Sequence, residues 1–442
     1  MSRPMSQTTA GAAAPAKREF VHEGMLVPFV LIVTCFAAWG VAANMTDPLV
    51  KVFSKIFSMS TFQASLVQFA YYGAYFCLAL PAAYINRRYS YKTGVLVGLG
   101  CAIAGALAFY PASLSMSYGV FLLALFTLAG GLSILETSAN PFVIGMGPEA
   151  NATRRLNFAQ AFNPVGTNIG VFLSASLILP NLHPATAEER AAMAPADLLT
   201  VQSNELEAVM VPYVGFAFVL VAIWIAIALR PMPTRQEAVV EGDSSTDLVA
   251  TLGRLMRNAH YRYGVIAQFF NVAAQTCVWT FTIQYVIEAI GGDEANAGRY
   301  LQYSLIVFLI ARFAMTWAMG FVRPALLLVV AALFGTLMCF YAAANPGMSG
   351  IWAIVAISAG LSLMFPTIYG IALHGLGRDT KFGAAGLVMA ILGGALVPLV
   401  HGAVMDGYGA AVSYVVPGLC FLVVAGFGVF DMTAKSRVSA SG

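Results

Sequence analysis

Twelve apolar runs divide this 442-residue chain. They fall at about 26–50, 61–85, 92–111, 117–147, 152–180 and 209–229, and again at about 261–290, 297–320, 324–343, 348–375, 380–404 and 411–431. A helix needs roughly 20 apolar residues to cross a hydrocarbon core, and a backbone in lipid must satisfy its own hydrogen bonds. Runs of this length and number predict an all-α membrane protein of twelve transmembrane helices. Those that exceed one span predict tilted or kinked helices. The composition agrees, with 59% hydrophobic and 10% charged residues, far from a soluble domain. It excludes a secreted disulfide scaffold, a disordered tail protein and a nucleic-acid binder. The net charge of +3 is too small to draw a polyanion. Cys35, Cys77, Cys101, Cys277, Cys339 and Cys420 lie in apolar stretches without metal-ligand spacing and read as small core residues.

Residues 1–24 read as a cytoplasmic tail, because no apolar signal-type core precedes Met25. An N-terminal six-helix bundle is expected over 25–229, a cytoplasmic linker over 230–260, a C-terminal six-helix bundle over 261–431 and a second cytoplasmic tail over 432–442. Basic residues set the orientation. With the N-terminus inside, 18 of the 23 Lys and Arg fall on inside segments. Lys51, Lys55, Arg190 and Arg299 fall outside, and Arg312 lies within a run. This bias predicts two cytoplasmic termini and an even number of spans. The linker holds an acidic stretch from Glu237 to Asp247, then Leu248, Leu252, Leu255 and Met256 with Arg254 and Arg257. That second part reads as a short amphipathic helix on the inner membrane surface. The segment 181–208, with Glu188, Glu189, Asp197, Glu205 and Glu207, reads as a solvated outer loop.

The two halves repeat in the same order and at a near-constant offset. Gly131-Leu-Ser-Ile-Leu-Glu136 matches Gly360-Leu-Ser-Leu-Met-Phe365, and Val41-Ala-Ala-Asn44 matches Val272-Ala-Ala-Gln275. A parallel repeat of two six-helix bundles is the plan of rocker-switch transporters, which hold substrate at the midplane between halves.

Three charges lie in apolar runs: Asp47, Glu136 and Arg312. A charge at the bilayer centre costs at least ~3 kcal/mol on insertion scales, so such groups face a cavity or a partner. A buried carboxyl makes reversible protonation accessible. Two readings fit Asp47: a cap beside Pro48 paired with Lys51, or a proton carrier. Glu136, near the middle of the fourth run with no basic residue within a turn, reads as a proton or substrate site or as a hydrogen-bonded structural acid. Arg312 either braces helix packing or serves as a gating or charge partner. By the repeat Glu136 falls on Phe365, so the acids belong to the first half only.

Uncharged polar side chains form stripes. The seventh run places Gln268, Asn271, Gln275 and Trp279 on one helical face. The fifth has Asn157, Gln160 and Asn163 at threefold spacing, then Thr167; the second has Gln68, Tyr71 or Tyr72, and Tyr75; the first adds Asn44. Amides that bond helix to helix are one reading. The other is a sugar site, since hydroxyls need donors and acceptors and sugar C–H faces stack on rings. An anion would call for basic residues. Pro141, Pro164, Pro366 and Pro398 stand near these stripes and allow kinks. His22, His183, His260, His374 and His401 are scattered and form no metal or nucleophile–base cluster, so no enzyme, metal or cofactor is expected.

The residues resemble the fucose–proton symporter family of the major facilitator superfamily, from about 25 to 430. The resemblance is carried by Trp39-Gly-Val-Ala-Ala-Asn44-Met-Thr-Asp47, by Leu135-Glu136-Thr-Ser-Ala-Asn140-Pro141-Phe142 with Gly147-Pro148-Glu149, and by Arg155-Leu-Asn157-Phe-Ala-Gln160-Ala-Phe-Asn163. Ala274-Gln275-Thr276 with Trp279, Pro366-Thr367-Ile368 and Leu376-Gly377-Arg378-Asp379-Thr380-Lys381 extend it into the second half. It implies proton-coupled sugar import by alternating access, with Asp47 and Glu136 as the protonation-linked carboxylates and the proton as coupling ion. Related glucose/galactose and N-acetylglucosamine permeases tend to carry Gln where Glu136 stands, which favours L-fucose. The helix 2–3 loop signature of the superfamily is degenerate, since Asn86-Arg-Arg-Tyr-Ser-Tyr-Lys92 lacks the expected Asp. The expected sugar contacts are Asn44, Tyr75, Gln160, Asn163, Asn271, Gln275 and Trp279. The expected partners are a small neutral sugar, protons and membrane lipids, for a monomer in the inner (plasma) membrane. Competing readings are a permease for another hexose, a facilitator without proton coupling and a membrane sugar sensor.

Overall fold

The computed structural model describes residues 19–46, 49–57, 61–185, 187–232, 248–291 and 294–440. Among these the regular structure is all helical. Eleven helical units are long and apolar enough to cross a membrane: α1 (Leu26–Thr46), α2 (Leu66–Arg88), α3 (Tyr91–Ser115), α4 (Tyr118–Gly145), α5 (Glu149–Ile178), α6 (Pro195–Leu229), α8 (Asn296–Ala318), α9 (Pro324–Ala344), α10 (Met348–Leu373), α11 (Gly377–Tyr408) and α12 (Ala410–Ala434). The remaining unit, α7 (Ala259–Ile290), has 32 residues and is less apolar because it carries the amide stripe. Ser90 caps α3 by accepting from Thr93 N at 3.0 Å, and Asn258 caps α7 by accepting from Tyr261 N at 3.1 Å.

Each half is knit by the same pairs. α4 packs on α3 and α2, and α1 on α5; likewise α10 packs on α9 and α8. Two glycines show how close the approach is. A Cβ on Gly131 would collide with Ala102 N, and one on Gly360 would lie 2.8 Å from Ala331 O. Gly360 is the repeat mate of Gly131, and Ala331 is that of Ala102, so the repeat read in sequence is a repeated helix-to-helix contact. Small residues at such crossings let backbones meet, which is how helices associate in lipid.

Two spans break near mid-length at matching places. α5 is interrupted at Ala161–Phe162, after Gln160 and before Asn163. α11 is interrupted by a 3-10 turn, Ala390–Leu392, followed by Gly393 and Gly394. Irregular backbone at this depth is tolerated only where protein covers it or a cavity lies beside it.

The outer segment departs from expectation. α6 begins at Pro195, so much of 181–208 is helix and not solvated loop. Arg190 and Glu205 are both buried there and paired bidentately, at 2.5 and 2.9 Å. Glu205 also accepts from His183 N at 2.8 Å, and Arg190 donates to the carbonyls of His183 and Ala185. Alternating acidic residues hid this pair, because only the fold turns Glu205 inward while Glu207 stays outside. Cys77 is exposed on α2 and is not a core residue, unlike Cys35, Cys277, Cys339 and Cys420.

Within the described residues of the linker lies a helix, Leu248–Arg257. Leu248, Val249, Leu252 and Met256 are exposed on it, as a surface-lying amphipathic helix requires. Arg254 grips Asp379 bidentately at 2.7 and 2.9 Å. Arg155 is fully buried, a role the sequence did not announce. It donates to the carbonyls of Val143, Ile144 and Gly147 at the end of α4, and to Phe20 and Pro148. Val143 and Ile144 lie in the last turn of α4, where carbonyls run short of helical N–H donors; Val143 O also accepts from Met146 N at 3.2 Å.

Candidate functional site

Glu136 sits in the middle of α4 and is 2% exposed. Neither carboxyl oxygen has a hydrogen-bond partner. Trp39 of α1, with Cys35 and Phe36, closes over it, leaving a seam too narrow for a water molecule. One turn on, Asn140 faces the carboxyl without completing a hydrogen bond to it, and its Nδ2 is likewise unpaired. Asn140 Oδ1 accepts from Gln160 Nε2 at 2.7 Å, at the α5 break. The hydroxyls of Tyr75 on α2 and Tyr369 on α10 lie within electrostatic reach of Glu136. The acid therefore stands between aromatic residues of both halves. An ionised carboxylate there would be an uncompensated buried charge, whereas a protonated one is not.

The other candidates lie as follows. Asp47 is outside the described residues. Tyr75 is buried and its hydroxyl is 3.5 Å from that of Tyr71. Asn44 donates to Thr167 Oγ1 at 3.0 Å and to Gly40 O, bonding α1 to α5. Asn163 donates to Phe36 O at 3.3 Å. On α7, Gln268 and Asn271 are fully buried, and no side-chain N or O of either has a partner. Gln275 and Trp279 are half-buried, and Trp279 Nε1 donates to Ser358 Oγ at 3.2 Å. Arg312 is buried on α8 with its guanidinium 4.8 Å from the Phe308 ring centre, and its Nε and Nη1 lack partners. Phe308 in turn meets Trp279 edge-on at 5.0 Å.

The structure thus brings Glu136, Gln160 and Tyr75 into one neighbourhood and adds Asn140, Trp39 and Tyr369, none of which was among the expected contacts. The repeat contains a signal for Tyr369, since it occupies the position that the repeat matches to Asn140. Orphaned buried amides cost about 1–3 kcal/mol each. Donors and acceptors held without partners are what an incoming polyhydroxy ligand can satisfy.

Comparison with known proteins identifies the family. Residues 29–398 match the family model of the Major Facilitator Superfamily. An L-fucose-proton symporter of Haemophilus influenzae is 39% identical over 419 residues, covering 92% of this chain and 97% of the relative. The L-fucose-proton symporter of Escherichia coli is 38% identical, covering 92% and 93%. The chain belongs to the fucose–proton symporter family of this superfamily. A glucose/galactose transporter of Brucella abortus is more distant, at 33% identity over 89% of this chain and 91% of its own. The fold agrees with a crystal structure of the Escherichia coli fucose:proton symporter, with a TM-score of 0.85, 36% identity and coverage of 92% of this chain and 99% of that one. A second structure of such a symporter, in the outward conformation, gives 0.84 at the same identity and coverage. The chain is thus a multi-pass membrane transporter of the major facilitator fold, not an enzyme.

Proposed function

We propose that this protein imports L-fucose together with a proton by alternating access, in the inner membrane, with both termini in the cytoplasm. Glu136 carries the proton, assisted by Asp47. The observation that supports this most is the Glu136 carboxyl, buried without any hydrogen-bond partner beside amides and tyrosines. That is a site where a neutral acid is tolerated and an anion is not, so a proton must come and go with exposure to water. The sugar is held at the midplane by Gln160, Asn163, Asn44 and Tyr75 from the first half and by Asn271, Gln275 and Trp279 from the second. Sugar hydroxyls complete the unpaired amides of α7, and sugar C–H faces stack on Trp279. Arg312 acts as a charge partner when α8 moves. The protein works as a monomer, surrounded by lipid.

Two sugar-transporter branches share this family, so the sugar is the point to test. Uptake of labelled sugars into proteoliposomes under an imposed pH gradient is expected to show L-fucose accumulating above equilibrium. Competition by glucose, galactose or N-acetylglucosamine in preference to fucose would overturn the assignment of the sugar. Uptake that ignores the pH gradient would overturn the proton coupling. Replacing Asp47 by Asn is expected to slow gradient-driven uptake more than equilibrium exchange; equal losses in both would assign Asp47 to folding or gating.

A further inference from the structure

The face that carries Phe20 and His22 is closed by polar contacts between the halves. Asn157 of α5 donates to Thr367 of α10 there at 3.2 Å, and two further bonds cross between the halves. Two of these contacts form a pair. Lys381, in the first turns of α11, donates to Asn86 O near the end of α2 at 2.7 Å. Arg154, in the first turns of α5, donates to Thr316 O near the end of α8 at 3.3 Å. Asn86 and Thr316 correspond by the repeat, so each half offers the matching carbonyl and receives a cation from the fifth helix of the other.

The physics of the pair is the same on both sides. Asn86 O and Thr316 O belong to the last turns of their helices, where carbonyls lack helical partners and the helix dipole is negative. A cation bridging to such a carbonyl from another element makes a charge-assisted hydrogen bond. Aromatic rings steady both cations. Lys381 Nζ lies 5.1 Å from the Tyr91 ring centre, and the Arg154 guanidinium lies 5.9 Å from that of Phe20. Arg87 sits 5.7 Å from the ring of Phe382, next to Lys381. Asn86 is itself fixed: it is fully buried, Ser138 Oγ donates to its Oδ1 at 2.8 Å, and its Nδ2 reaches Thr137 O at 3.4 Å. Thr137 and Ser138 directly follow Glu136 on α4. The seat of one cation is therefore bolted to the turn that carries the buried acid.

We propose that Lys381 and Arg154 are matched latches that hold this face shut, and that Asn86 is a positioning residue that presents the Lys381 seat from the Glu136 turn. Lys381, reaching from the other half, supplies the cross-half contact at the α2–α3 corner. The proposal rests on the two halves separating at this face during transport, but not on which sugar is moved.

The test reads the separation directly. Thr153 packs across the halves, its side chain meeting Gly370 of α10. A Thr153→Cys variant is labelled with a hydrophilic maleimide in detergent, without sugar or pH gradient. Mass spectrometry reads the modified position, so the native cysteines stay in place. Labelling is expected to be slow in this parent and about tenfold faster after Lys381→Ala or Arg154→Ala, the ratio that one lost charge-assisted bond implies. The double variant is expected to be faster still, and Lys381→Arg to stay near the parent rate. Labelling of the double variant at the parent rate overturns the proposal. So does a Lys381→Arg rate equal to that of Lys381→Ala, which would make Lys381 a packing residue. Failure of the alanine variants to fold would assign both cations to stability and likewise overturn it. Because no transport is measured, these outcomes are separate from failure of the fucose assignment.

Discussion

Asn140 accepts a 2.7 Å hydrogen bond from Gln160 while its own amide N–H faces the Glu136 carboxyl unpaired. One amide thus joins the break in α5 to the acid on α4. Anything that moves the upper part of α5 is felt at Glu136 through a single side chain.

Gln160→Leu removes that link and leaves Asn140 Oδ1 buried without a donor, a loss of about 1–3 kcal/mol. The expected outcome is a sugar affinity weaker by about tenfold or more, with protein still correctly folded. Equilibrium binding of sugar to purified protein checks it. Unchanged affinity would show that Gln160 only braces the helix break.

Glu136→Gln keeps the shape and removes the titratable proton. Accumulation driven by a membrane potential of about 100 mV, worth roughly 50-fold for one proton per neutral sugar, is expected to vanish. Binding and counterflow exchange of sugar persist. Uphill uptake that survives in this variant would take the coupling role away from Glu136.

Glu205→Gln halves the buried Arg190 pair and strands a guanidinium. Breaking a buried pair costs about 3–5 kcal/mol. Limited proteolysis is expected to cut between 183 and 205 well before the rest of the chain, while transport is altered far less than stability. A parent-like digestion pattern would mean that the pair adds nothing to the outer segment.

Gly131→Ala and Gly360→Ala probe the repeated contact. The added methyl would collide with Ala102 N in the first case and come to 2.8 Å from Ala331 O in the second. Both variants are expected to lower the thermal midpoint, Gly131→Ala more strongly. The reverse order, measured by detergent-phase melting, would show that the two crossings relax differently from their resting geometry.

Much of this was legible in the chain. Length and apolarity revealed the spans, because lipid leaves a backbone no other choice. Glu136 stood out because a charge in a long apolar run has no cheap explanation. The α5 stripe was read less well. Asn157, Gln160 and Asn163 share a face only if the helix is continuous, and it breaks at Ala161–Phe162. Their side chains go three ways, to Thr367, to Asn140 and to Phe36 O. Tyr369 and Asn140 were passed over because neither carries charge; only the neighbouring helices give them a role. Arg155 and the Arg190–Glu205 pair escaped because their partners are backbone carbonyls or residues distant in sequence, which no periodicity reports.

The length of α6 has a practical consequence. Thirty-five residues of helix run about 52 Å, well beyond the ~30 Å of hydrocarbon a span must cover. The surplus is stapled to the preceding short helix by the buried Arg190–Glu205 pair and to Ile56 O by Gln202, so it does not wave. An antibody fragment raised against this knob would give a small membrane protein a rigid fiducial for imaging while leaving the seam between its halves free to open.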